Sequence, residues 1–174
     1  DKYLAGYQKS SGALLELHKS SGELLWQQNQ MHGSPVFSQD GTEIFSGPEV
    51  LETATGKRIA RAPITKSAYD IQWAPQGSLA AWKNENKVQV WDRSTNKTRT
   101  LTLPEGHTAS NTLQVSPDGK WLAASVYVQI HNNVALWNLT KFAAPELHRI
   151  LTPINGAFGL PFSPDNRQLI YAGQ

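Results

Sequence analysis

The sequence has no cysteine among its 174 residues. That excludes disulfides and thiolate metal sites. It leaves the compartment open, since periplasmic proteins can also lack cysteine, with the cytoplasm favoured over a periplasmic or extracellular setting. No apolar run approaches the length of a membrane span, so none is expected. The opening residues, DKYLAGY, lack the basic, apolar and small-residue regions of a signal peptide. No window sustains an i, i+3, i+4 apolar pattern, and 13 glycines and 10 prolines punctuate the chain, which excludes long helices. The net charge of +2 is too small to point to a nucleic-acid binder.

Catalytic patterns are missing as well. Histidines 18, 32, 107, 131 and 148 include no pair spaced one, three or four apart, so no local metal motif exists. No serine sits in GxSxG; the two SSG stretches at 10–12 and 20–22 read as turns. Phosphate-loop and dinucleotide glycine patterns are absent. Asp118 and Asp165 hold equivalent places in two turns, which makes them structural by repetition. The sequons at Asn96 and Asn138 lie in ordinary strand turns and are read as chance. No catalytic residue, metal site or cofactor is expected from these patterns.

What is present is a repeat. In residues 103–140, Leu113 and Val115 alternate along a half-buried strand, SPDG (Ser116–Gly119) supplies turn chemistry, KWLAAS resumes a strand, IHNN offers another turn, and VALWN alternates again. The turn recurs as SQDG at 38–41, APQG at 74–77 and SPDN at 163–166, each followed by an apolar strand. A second landmark, apolar then polar then small-polar turn, recurs at 16–23, 50–57, 90–97 and 136–141. The anchors Leu4, Ile44, Leu79, Leu122 and Ile170 lie 40, 35, 43 and 48 positions apart, the period of repeated β-meanders.

Gly106-His107, VSPDG, LAAS and Trp137-Asn138, together with Trp91-Asp92 in KVQVWDRSTNK, resemble a WD-repeat β-propeller unit. The resemblance implies an all-β propeller of four-stranded antiparallel blades over about four repeat periods, part of a larger ring. It divides the chain into a partial blade (1–32), blades at 33–66, 67–104 and 105–152, and a partial blade at 153–174. First strands are expected near 34–38, 69–74, 111–116 and 158–163. It also implies structural roles for Trp91 and Asp92, and a buried hydrogen-bonded set to which His107, Ser125 and Trp137 would belong. Tryptophans 26, 73, 82, 91, 121 and 137 read as core fillers between blades. The stretch Val126–Asn133 reads as a loop longer than the family's and lacking its aspartate.

In that family the loops joining second to third strands share one face with the loops between blades, and partners commonly meet it. Here the face would collect Tyr7, Trp82, Asn84, Tyr127 and His131 as contacts for a protein partner. The leading expectation is therefore a non-catalytic interaction scaffold. The alternatives are a propeller enzyme or small-ligand binder with its site in the central channel, hinted at by SGELLWQQNQ at 21–30, and an architectural spacer in a longer chain. Residues 57–99 carry nine Lys or Arg against three acids, leaving the remainder at −4; this reads as solvated outer strands and turns, the alternative being a basic side that meets an acidic partner. DKYLAGYQ at the start aligns with RQLIYAGQ at the end, both as second strands. That predicts either further blades of the same parent chain or self-association into a ring of about eight blades.

Overall fold

The computed structural model describes residues 3–8, 14–29, 35–64, 68–129, 131–154 and 159–171, and among them there is no helix. The chain divides into two compact units, Asp1–Ala62 and Pro63–Gln174.

The first unit holds two antiparallel meanders. One is a three-stranded sheet of β1 (Tyr3–Gln8), β2 (Leu14–Lys19) and β3 (Leu24–Gln28); the other is a four-stranded sheet of β4 (Val36–Phe37), β5 (Glu43–Ser46), β6 (Glu49–Glu52) and β7 (Arg58–Arg61), paired in chain order. Alternation sends Leu15 and Leu17 inward, where they meet Ile44 and Leu51, with Trp26 and Phe37 packed around them. The Trp26 indole donates to the Thr53 carbonyl at 2.8 Å, and the Gln28 amide donates to the Gly56 carbonyl at 3.0 Å. Both bonds hold β3 against the turn that follows β6. A bulge between Val50 and Leu51 brings Arg58 and Arg61 to one face, where they approach buried Glu49 at 4.0 and 2.6 Å.

In the second unit, β8 (Ala68–Trp73), β9 (Leu79–Asn84), β10 (Lys87–Asp92) and β11 (Lys97–Leu101) form one four-stranded meander. Four longer strands follow as a second: β12 (His107–Val115), β13 (Trp121–Val128), β14 (His131–Asn138) and β15 (Glu146–Ile154). Beyond them, Phe162 and Leu169 make a single antiparallel bridge. Residues Leu122 to Val126 are all buried because β13 is covered on both faces. Leu122, Ala124 and Val126 pack with Ala81, Val88 and Val90 of the preceding sheet, whereas Ala123 packs with Val134 and Leu160 on the other side. Trp73 and Trp91 meet edge-to-face at 6.0 Å.

Three turns between first and second strands share one hydrogen-bond pattern. In Ser38–Glu43, Ser116–Trp121 and Ser163–Gln168 the serine hydroxyl donates to the aspartate two residues on. That carboxylate accepts the amide two residues further, and the serine oxygen accepts the amide of the returning strand. These bonds hold the Asp40 carboxyl at about 2, with the Ser38 hydroxyl the largest cause, and they lower those of Asp118 and Asp165. The fourth copy, Ala74–Gly77, has neither serine nor aspartate. There the Gln76 amide donates to the Pro117 carbonyl, while the Asp118 amide donates to Asn166, so consecutive turns are stitched together.

Two expectations are corrected. Val126–Asn133 is not a loop: β13 and β14 pair from Trp121↔Asn138 out to Val128↔His131, so Val126–Val128 and His131-Asn132-Asn133 are strand and the turn begins at Gln129. The reason is cross-strand pairing, because β12 runs alongside and pairs Ala109 with Val126 and His107 with Val128. His107, Ser125 and Trp137 also do not form one connected set. The His107 Nδ1 donates to the Glu105 carbonyl, and the Trp137 indole donates to the Thr102 carbonyl. Ser125 lies opposite a bulge between Ala109 and Leu113, where its hydroxyl contacts both the amide and the carbonyl of Thr112 and so fills the gap in the ladder.

Candidate partner-binding rim

The site begins with a difference in length. From Leu79 to Asp92 is 14 residues, and from Trp121 to Asn138, the matching stretch of the next repeat, is 18. All four additional residues enter the β13–β14 hairpin as Tyr127 and Val128 paired with Asn132 and His131. The hairpin therefore overhangs its β9–β10 counterpart by two residues per strand, or about 7 Å.

Strand parity assigns the two sides of that overhang. Val128 and His131 continue the side that carries Val126 and Ala135, which packs toward the β8–β11 sheet, and His107 of β12 pairs with Val128 in the same row. Tyr127 and Asn132 continue the opposite side, with Thr108 paired beside Tyr127. Tyr127 is 42% exposed, and His131 is exposed at the tip. Gln129 in the turn holds φ +53°, as does Glu85 in the turn between β9 and β10. Neither is a glycine or asparagine, so both tips keep a left-handed backbone that costs a side-chain-bearing residue about 1 kcal/mol or more.

The remaining expected contacts separate. Asn84 ends β9, half-buried and paired with Lys87 beside the turn. Trp82 is fully buried, its indole N–H donating to the Gln89 side chain at 2.9 Å. It fills the interior and is not a surface contact: Ala80, Ala81 and Trp82 are all fully buried, because this part of β9 is covered on both faces. Tyr7 pairs with Leu15 in the backbone of β1, and its side chain lies outside the described residues. Trp91 and Asp92 are buried in the β10 end. Asp92 accepts from Ser78, Ser94 and Thr95, which lowers its carboxyl against the opposing effect of burial.

Sequence reasoning missed Gln129 and the projecting hairpin itself. The signal was the count of residues between landmarks, which it took as loop length. Among the described residues, no group of three or more His, Asp or Glu is placed to hold a metal ion, and no helix is long and apolar enough to cross a membrane.

The sequence matches no family model and no curated protein. Solved structures match its fold. The dihydro-heme d1 dehydrogenase NirN in complex with DHE superposes with a TM-score of 0.71 at 14% identity, covering 99% of this chain and 39% of that one. A chain of the mitotic checkpoint complex gives a TM-score of 0.66 at 16% identity, covering 98% and 56%. A functionally unknown protein from Desulfotomaculum acetoxidans gives 0.67 at 12% identity, covering 92% and 56%. The chain thus spans between 39% and 56% of the length of these structures. At such identities the likeness shows the fold alone: this is an all-β chain of antiparallel β-propeller blades.

Proposed function

We propose that the chain is a WD-type propeller segment that serves as a non-catalytic platform for a protein partner, and that the partner meets the rim bearing the second-to-third-strand turns. The observation that carries this reading is the β13–β14 hairpin. It is lengthened in one blade only of the second unit, it is tipped by a residue in a left-handed conformation, and it presents Tyr127 on one side and His131 on the other. A hairpin needs no such extension to complete a blade, since β9–β10 closes its own with two fewer pairs. An exposed tyrosine at the edge of a rigid sheet is a typical interface anchor, worth about 2 kcal/mol when central. The WD reading is supported by Asp92 and Asn138, which bond the turns after β10 and β14 as that repeat's aspartate position would.

The test compares affinity capture by the native chain with capture by Tyr127→Ala/His131→Ala. The reading expects the double variant to keep its melting temperature and to lose the proteins retained by the native chain. Retention of the same proteins by both would overturn it.

A further inference from the structure

The outer edge of the β8–β11 sheet has a feature that blade building does not require. β11 is the last strand of its sheet, so among the described residues one side of its backbone has no strand partner. Lys97 and Arg99 are two residues apart and therefore share a face. Arg99 pairs with Val90, and Leu101 with Val88, which places that face toward the core shared with the next sheet. Neither cation is in an ion pair among the described residues. The Nε of Arg99 is buried and has no hydrogen-bond partner.

Among the described residues, the carboxylates of this sheet do not answer these cations. Asp92 has both oxygens engaged by Ser78, Ser94 and Thr95, and Glu85 lies at the opposite end, in the turn after β9. The other edge strands differ. On β7, Arg58 and Arg61 face buried Glu49, and β15 mixes Glu146 with Arg149 and ends on Pro153-Ile154. Lysine on an edge strand commonly serves only to discourage aggregation. That role calls for a solvated charge, and it gives no reason to bury the Nε of a neighbouring arginine without a partner, which is costly.

We infer that the β11 edge is a docking strand for an extended acidic segment of a partner protein. The segment adds to the sheet through main-chain hydrogen bonds and places carboxylates at alternate residues against Lys97 and Arg99. The spacing agrees: alternate residues of an added strand lie about 7 Å apart, as do Lys97 and Arg99 along β11. A carboxylate at the edge would pair the Arg99 guanidinium, which has no ion pair among the described residues. Thr98 and Thr100, on the other face, are β-branched and suit a strand that stays extended. This surface is distinct from the hairpin rim.

The experiment uses the isotope-labelled 174-residue chain and three probes: a peptide of about ten residues alternating Glu and Thr, its Lys-Thr counterpart, and free glutamate. The Glu-Thr peptide is expected to slow amide exchange along Lys97–Leu101 and to shift the Arg99 Nε–H resonance saturably, with no effect from the Lys-Thr peptide. Lys97→Gln/Arg99→Gln should weaken binding more than about tenfold, while Lys87→Gln, on the other face of the sheet, leaves it unchanged. The inference is overturned if the slowed amides lie elsewhere, if Lys87→Gln weakens binding equally, or if free glutamate produces the same shift at the same concentration. If the double variant does not fold, the two peptides on the native chain still decide: equal binding of both overturns the inference.

Discussion

Replacing Gly56 with alanine tests how the first unit is held together. Gly56 has φ +70°, and a Cβ there would come within 2.7, 2.9 and 3.1 Å of three atoms of the Trp26 ring. The left-handed backbone alone costs an alanine about 1 to 2 kcal/mol. Trp26 cannot yield freely, because its indole is bonded to the Thr53 carbonyl and its ring packs beside Leu15, Leu17, Ile44 and Leu51. Shifting the ring adds about 1 to 3 kcal/mol of overpacking and puts a bond worth about 1 kcal/mol at risk. The expected loss is about 4 kcal/mol, or a melting temperature lower by roughly 10 °C in a chain of this length. Gly41 is the matched control: its φ is also +70°, but nothing lies within 4 Å of its Cβ position. Gly41→Ala should therefore show the backbone cost alone, about 1 to 2 kcal/mol. Thermal denaturation of the two variants side by side isolates the Trp26 contact. Equal destabilisation by both would refute the argument that Trp26 is locked over this turn.

Further outcomes follow from single groups. Thr53 is buried and its hydroxyl has no partner, so Thr53→Val should be neutral or stabilising by up to about 1 kcal/mol in chemical denaturation; a clear loss would mean that the hydroxyl is satisfied in solution. The Asp40 carboxyl titrates at about 2, below its ordinary 3.8, so its contribution is present above the ordinary value and lost as pH falls toward 2; carbon-detected NMR titration should show this, and Ser38→Ala should move the value upward. His18 runs the other way. Both ring nitrogens face acceptors, the Glu16 carboxylate first and the Gly22 carbonyl second, and only the protonated imidazole can donate to both, so its pKa lies above 6.5. Its contribution is full below 6.5 and disappears as pH rises through the higher folded value, and Glu16→Gln should lower that value in proton NMR.

The parts of the fold legible in the sequence were those whose chemistry is local. SQDG, SPDG and SPDN announce their turns because serine and aspartate bond backbone groups two to five residues away, well inside one reading window. The β13–β14 hairpin was not legible because His131-Asn132-Asn133 has the composition of a turn, and only pairing with β12 and β13 makes it strand. Trp82 was misplaced for a related reason. In an unbroken run from Leu79 to Trp82 the periodicity does not say which residue faces in, and the answer comes from Gln89, across the hairpin, which takes the indole N–H. The partner of Ser125 was not legible because the bulge it fills depends on two extra residues in a neighbouring strand, which no pattern within β13 reveals.

One position in the repeat shows what these blades preserve when residues drift. Near the end of each sheet's last-but-one strand stands a polar residue: His18 in β2, one before its last residue, and Glu52, Asp92 and Asn138 as the final residues of β6, β10 and β14. Asp92 and Asn138 each accept the amide and hydroxyl of the residue two ahead, Ser94 and Thr140. Glu52 accepts the hydroxyl of Thr55, three residues on, as Asp92 also does from Thr95. His18 has a donor in that place and instead donates to the Gly22 carbonyl, four residues on, in a turn where Gly22 takes φ +89°. Only the His18 copy changes both reach and polarity, and a side-chain bond into the following turn survives in all four. A motif defined by the Trp-Asp dipeptide sees one of these copies. The physical requirement, a polar side chain that pins the turn between a sheet's last two strands, is met by every one.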